Sequence, residues 1–276
     1  MDGIRRSVRE GWWTFALLAP ALIVLAYFFL YPLVILGLTS LRVGDHYGFT
    51  HYANLLLKPQ YRQSLFDTVW LSVLVTVVTL VLSTILAILL VRRDFPCKTL
   101  LQSLITFPIS FPGVVVGFMI IILFGKTGVI PNLGVALTGR PILQIAYELS
   151  GLFLAYLYFS IPKTTMTMVG SVEKLNPSLE EAARSLGASQ ATTFRRIVLP
   201  ALSPALASAG ALAFATSMSA FGTAFTLSQN FSVLPVLMYT EYTLSFHIEA
   251  ASAIAIALGV ITVAMTYAYR VLSERG

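Results

Sequence analysis

The chain has 276 residues, of which 57% are hydrophobic and only 11% charged. Soluble domains carry about 25% charged residues, so this deficit, with a mean hydropathy of +0.82, excludes an ordinary soluble domain and points to lipid as the main solvent. The net charge of +6 would raise nucleic acid in a soluble protein, but here the basic residues sit between apolar runs, and the single cysteine, Cys97, excludes an intrachain disulfide and a cysteine-built metal site.

At the N-terminus, Arg5, Arg6 and Arg9 precede an apolar run from Phe15 to Leu38. A signal-peptide core is about 7–15 residues. This run is longer and no small-x-small cleavage pattern follows it, so it reads as a retained first membrane helix. Five more runs follow, giving spans at Thr14–Leu38, Phe66–Val91, Leu100–Phe124, Leu149–Val169, Ser203–Thr226 and Ala250–Leu272. Each is long enough for a bilayer core of about 30 Å. The expected fold is all-α, with six transmembrane helices.

Basic residues orient the spans. With the N-terminus inside, Arg5, Arg6, Arg9, Arg92, Arg93, Lys98, Lys174, Arg184, Arg195, Arg196, Arg270 and Arg275 are cytoplasmic. Only Arg42, Lys58, Arg62, Lys126 and Arg140 fall outside. The bias predicts that both termini are cytoplasmic.

The first outer loop, 39–65, carries Asp45, His46, His51 and Tyr52. Their spacing matches no metal site and suits a docking surface better. In the loop 125–148, the stretch TGVIPNLGVAL predicts a short interfacial helix. Spans three to five concentrate proline, serine and threonine. Proline removes a backbone donor, and such breaks survive in a membrane where protein or a water-filled cavity covers them. Pro108, Ser110, Pro112, Ser160, Thr164, Thr216, Ser217, Ser219 and Thr223 are therefore candidates for lining a path. Ordinary helix packing through small residues is the competing explanation. Lys163 can face an anionic substrate or snorkel to headgroups, the latter being favoured. Glu241, His247 and Glu249, beside the last loop, can meet a partner or remain solvated.

The connection between spans four and five is the most informative segment. It reads NPSLEEAARSLGASQATTFRRIVLPALSP over residues 176–204. Asn176 can cap a helix with Pro177 at its first position, and Ser178 with Glu181 offers an alternative capping box. Leu179, Ala182, Ala183 and Leu186 form one apolar face at helical spacing. Gly187 suits a left-handed helix end, Ser189 can cap a second helix, and Pro200 is expected to stop that helix. Such a segment can lie on lipid headgroups or in a groove on a partner; composition alone favours neither.

Residues Glu181, Ala182, Ala183, Gly187, Ile197, Leu199 and Pro200 fill all seven defined positions of E-A-A-x3-G-x9-I-x-L-P. On this motif and the six-span layout, the chain resembles the permease subunits of type I ABC importers. The resemblance implies an N-terminal region 1–62 and a transmembrane core 63–272 with a coupling loop at about 170–202. The loop would dock on a separate ATPase, with Glu181 as the acidic contact, Ala182 and Ala183 allowing close approach and Gly187 turning the chain.

The chain would be half of a translocation path in a bacterial cytoplasmic membrane. Its partners would be two ATPase subunits, a second identical or paralogous permease, a periplasmic or lipid-anchored binding protein and membrane lipid, without nucleic acid. No catalytic residue, metal or cofactor is expected in this chain; no G-x4-G-K-[ST] motif is present, so ATP and Mg would belong to the ATPase. Segments such as YLYFSIPKTTMTMVGSVEKLNPSLEEAARSLGAS resemble the polyamine, ferric iron, thiamine, phosphonate, sulfate and molybdate branch, with polyamine and ferric iron favoured. A transporter driven by an ion gradient would need acids deep in the spans, and the sequence suggests none.

Overall fold

The computed structural model describes residues 17–274. Arg5, Arg6, Arg9 and Arg275, used above for orientation, and the first residues of the first expected span lie outside the described residues. Apart from a two-residue hairpin, the fold is helical. Helix α1, Leu17–Leu41, contains a π-helical turn at Ala26–Leu30. Pro32 follows it, and Tyr31 N–H reaches back to Ala26 O. Proline has no N–H and its ring crowds the carbonyl four residues back. A wider turn just upstream relieves both problems without breaking the helix.

Strands β1, Arg42–Val43, and β2, His46–Tyr47, pair antiparallel around Gly44, whose φ is +60°. Helix α2 is Thr50–Leu57, and α3 runs Pro59–Arg92. With 34 residues, α3 is about 50 Å long at 1.5 Å per residue. It starts at Pro59 rather than Phe66 because proline suits the first helical position and polar residues continue the helix beyond the apolar run. Its hydroxyls at Ser64, Thr68, Ser72, Thr76, Thr79 and Ser83 are all buried. In lipid, the polar face of a helix turns toward protein.

The third expected span is broken. Helix α4, Lys98–Thr106, passes into a 3-10 turn at Phe107–Ser110 and stops at Phe111, which is extended before Pro112. A residue preceding proline is pushed out of the α region. Helix α5, Gly113–Phe124, resumes after the break, and α6, Val129–Thr138, is the short helix expected in the following loop. Helix α7, Leu149–Lys174, carries Pro162 in its interior. Helices α8, Pro177–Ser185, and α9, Gln190–Ala201, form the connection. Helix α10, Ser203–Met218, is bent 68° from α9. The fifth expected span ends with α10, and α11, Phe221–Leu227, follows a break at Ser219–Ala220. Helices α12, Leu234–Thr243, and α13, Ile248–Glu274, complete the chain.

Among the described residues, four helical stretches are long and apolar enough to cross a membrane: α1, α3, Gly113–Thr138 and Ile248–Val271. Counted as one span, the bent pair α9–α10 makes a fifth. Helix α7 has 26 residues, but Pro162, Lys163 and its threonines make it more polar than these. Helix α3 packs most extensively on α7; α10 leans on α3, α7 and α13, and α11 crosses α5. One apolar cluster joins Leu71, Val75, Val116, Ile120, Leu152, Tyr156 and Leu227. A second, beneath the 176–202 connection, holds Ala87, Leu90, Met168, Val172, Val198, Leu202 and Ala209. The third, around Leu55, Tyr61, Leu234 and Ile254, lies at the opposite end of α3.

Candidate functional site

The connection is two helices joined at a glycine. Asn176 Oδ1 accepts Ser178 N–H at 3.0 Å, with Pro177 at the first position, so the Ser178/Glu181 alternative is unused. Helix α8 ends in a Schellman turn: Gly187 N–H donates to Arg184 O at 2.9 Å and Ala188 N–H to Ala183 O at 3.0 Å. This turn needs positive φ at Gly187, which has φ +84°. Ser189 Oγ then accepts Thr192 N–H at 3.2 Å to start α9. Pro200 does not stop α9. A π-helical turn at Phe194–Val198 precedes it, as one precedes Pro32, and the bend falls at Leu202.

Exposure divides the segment. Glu181, Ala182, Leu199 and Pro200 are exposed, Ile197 is half-buried, and Ala183 is 8% exposed. Leu179 and Leu186, from the expected apolar face, are 49% and 89% exposed. The anchors into the bundle are Val198 and Leu202. Glu180 turns the other way from Glu181. Its Oε1 lies 3.0 Å from Arg92, on the last turn of α3, and Oε2 lies 3.7 Å from Arg184. Arg92 also donates to Leu175 O at 2.9 Å. Sequence reading singled out Glu181 and missed both Glu180 and Arg92; their only sequence signal was complementary charge.

The candidate path residues separate into two groups. Ser110, Pro112 and Ser219 are exposed, while Pro108 and Thr216 are half-buried. They lie at or just before the two breaks. Those breaks are neighbours, because α5 and α11, which start just after them, cross in contact. The crossing depends on glycine: a Cβ on Gly117 would collide with Thr226 Oγ1 and lie 2.8 Å from Thr226 Cβ. Ser160, Thr164, Ser217 and Thr223 are buried. Thr223 Oγ1 donates to Gly113 O at 3.1 Å and Ser217 Oγ to Ala213 O at 3.0 Å, so both hydroxyls are engaged in packing. Ser160 Oγ and Thr164 Oγ1 have no partner among the described residues. Tyr156, buried in α7, donates to Ala220 O at 3.1 Å, satisfying a carbonyl at the break.

The structure adds two polar cavities. One of about 460 Å³ lies between α4 and α7, lined by Thr99, Gln102, Ser103, Thr106 and Glu173. Its four α4 residues recur at helical spacing in the sequence, a polar stripe that was legible and passed over. The other, about 350 Å³, lies at the far end of α3 beside Gln63, Asp67, Asn230 and Ser232. There Asp67, buried, accepts from Gln63 Nε2 at 2.8 Å. Nearby Glu241, also buried, receives Tyr61 Oη at 2.5 Å and faces His247 Nδ1 at 2.8 Å. Around the hairpin, His51 Nε2 on α2 meets Arg42 O at 2.9 Å, and Tyr52, also on α2, meets Ser40 on α1 at 2.6 Å. Among the described residues, no cluster of three His, Cys, Asp or Glu could hold a metal.

A family model described as "Binding-protein-dependent transport system inner membrane component" matches residues 79–275. The chain belongs to this family. It is a permease subunit of an ABC importer, a multi-pass inner-membrane component and not an enzyme. The sulfate transport permease CysT of Salmonella typhimurium is 28% identical over 232 residues, covering 83% of this chain and 82% of CysT. CysW of Synechocystis sp. is 28% identical over 261 residues, covering 92% of each. In fold, the permease resembles a chain of a bacterial ABC transporter that imports alginate, with TM-score 0.82, 18% identity and coverage of 99% and 98%. Sulfate belongs to the branch expected from the sequence, whereas these relatives give no support to the emphasis on polyamine and ferric iron.

Proposed function

We propose that this permease forms half of the translocation path of an ATP-driven importer for sulfate or a closely related oxyanion. The substrate reading rests on the CysT and CysW relatives, which span most of this chain. The coupling reading rests on one observation: α8 presents Leu179, Ala182 and Leu186 outward beside Glu181 instead of burying them. An apolar helical face left bare at the end of a bundle suits a groove on a protein partner. That partner is an ATPase subunit, present twice in the complex and carrying ATP and Mg. Glu181 supplies its acidic contact, Ala182 lets it approach closely, and Gly187 holds the turn; Ile197, Leu199 and Pro200 continue the contact toward α10.

A second permease, identical or paralogous, completes the path, and a periplasmic or lipid-anchored binding protein delivers substrate to the end of the bundle opposite the coupling segment. Both termini face the cytoplasm, in keeping with the basic-residue bias. Residues 1–62 precede the transmembrane core, 63–272. The path runs past the two helix breaks, along Pro108, Ser110, Pro112, Thr216 and Ser219, and opens into the polar cavity between α4 and α7. Lys163 snorkels. The remaining candidates, Ser160, Thr164, Ser217 and Thr223, support the path from behind.

The test is reconstitution in proteoliposomes with the ATPase and a sulfate-loaded binding protein. Sulfate uptake should require ATP and be competed by molybdate but not by spermidine. Glu181→Lys should insert normally, retain less ATPase on copurification and lose most uptake, since a charge-assisted contact contributes about 1.5–3 kcal/mol. Spermidine competition, or full ATPase retention by Glu181→Lys, would overturn the respective half of the reading.

A further inference from the structure

We infer that the ion pair between Arg92 and Glu180 is the clamp that passes movement of α8 to α3, making Arg92 and Glu180 positioning residues for energy coupling. The inference rests on the coupling reading above and extends it to residues outside the E-A-A motif. Helix α8 is poorly anchored by apolar packing. Ala183 is its one buried residue, and its closest packing is against α9. Val198 and Leu202, the residues that tie the connection into the second core cluster, belong to the end of α9 and the bend after it. A push on α8 would therefore reach the transmembrane helices mainly along the chain, through the two-residue α7–α8 junction and through α9, unless a side-chain link exists.

Arg92 provides that link. It sits on the last turn of α3, the helix most extensively packed on α7. Its Nε donates to Glu180 Oε1 at 3.0 Å, and a terminal guanidinium nitrogen donates to Leu175 O at 2.9 Å. One planar group thus grips α8 by a side chain and the α7–α8 junction by a backbone carbonyl. Guanidinium suits this because its donors are fixed in a fork, whereas an ammonium is a point charge on a flexible stem. The pair is sheltered, with side-chain exposures of 19% and 15%, so solvent and salt screen it less than a surface pair. Beside it lies a cavity of about 170 Å³, lined also by Thr193 and Phe194, so this flank of the segment is not packed solid. Glu180 and Glu181 divide the work: one carboxylate faces the bundle, its neighbour faces outward.

The experiment uses the whole importer in proteoliposomes and reads sulfate taken up per ATP hydrolysed, alongside the amount of ATPase that copurifies. Arg92→Glu and Glu180→Arg should each lower uptake per ATP about tenfold, the change that corresponds to losing one hydrogen bond to a charged group. The double exchange should recover most of it, as expected of directly coupled residues. Arg92→Lys should fall between, because it keeps the charge and loses the fork. A double exchange that only adds the two defects, or single variants that couple like the unaltered protein, would overturn the clamp. Should the unaltered importer fail to couple ATP to sulfate uptake, the proposed function falls and the clamp with it; normal coupling in the unaltered protein with unaffected variants sinks the clamp alone.

Discussion

Helices α7 and α8 are separated by two residues, Leu175 and Asn176, yet α7 buries hydroxyls among its apolar residues while α8 leaves leucines exposed. Helix α7 encloses Ser160, Thr164 and Thr165, all at 0–1% exposure, while α8 leaves Leu186 bare. The first arrangement follows from the solvent. A helix in lipid gains little by hiding leucine, since lipid tails are as apolar as leucine, so small and polar residues share its buried face with Leu152 and Met168. The second cannot be explained in that way, because α8 is short, amphipathic and attached at the end of the bundle. Its exposed leucines are the surface on which the proposed ATPase contact rests. Burial of a polar residue and exposure of an apolar one thus carry different messages on either side of a two-residue junction.

Three substitutions would break or sharpen that contrast. The largest effect is expected at Met168, a fully buried residue of α7 in the cluster beneath the connection. Met168→Ala should destabilise the isolated permease by about 2–5 kcal/mol, the usual cost of a cavity in a packed core. Thermal unfolding in detergent, followed by circular dichroism, measures this; an unchanged midpoint would show that the cluster does not hold the bundle together.

Leu186→Ser should behave in the opposite way. The isolated permease should keep its stability within about 0.5 kcal/mol, as at other exposed positions, while the amount of ATPase that copurifies should drop. A large loss of stability without loss of ATPase would mean that α8 folds against its own chain and not against a partner.

The smallest effect belongs to Thr164→Val. The Thr164 hydroxyl is buried and unpartnered among the described residues. Replacing an unpaired buried hydroxyl with a methyl of the same shape should leave stability unchanged or raise it by up to about 1 kcal/mol. A clear loss in the same melting assay would reveal a partner for that hydroxyl in the assembled protein.

Much of this molecule was legible before any coordinates. The apolar runs located α1, α3 and α13, because a bilayer sets a minimum length that few soluble helices satisfy. Asn176, Pro177, Gly187 and Ser189 located both helices of the connection, because caps and turns depend on neighbours a few residues away. The prolines at 108 and 112 foretold a break, again through local geometry. Misreadings arose where the outcome depended on distant groups. Pro200 was expected to stop a helix, but the π-helical turn upstream absorbs it. The fifth span was expected to run on to Thr226, but it stops at Met218, and α11 then docks on α5 through Gly113 and Gly117.

By itself, then, the sequence determined the solvent, the helical class, the capped two-helix connection and the family motif, since each depends on composition or on spacing within about twenty residues. Only the tertiary structure decided which of two adjacent glutamates faces the bundle, which candidate hydroxyls are used up in packing, and that the two helix breaks are neighbours. Those outcomes turn on contacts between residues as far apart as Arg92 and Glu180, or Gly113 and Thr223. Local periodicity places a side chain on a face of its helix, but what that face meets is set by how the helices pack.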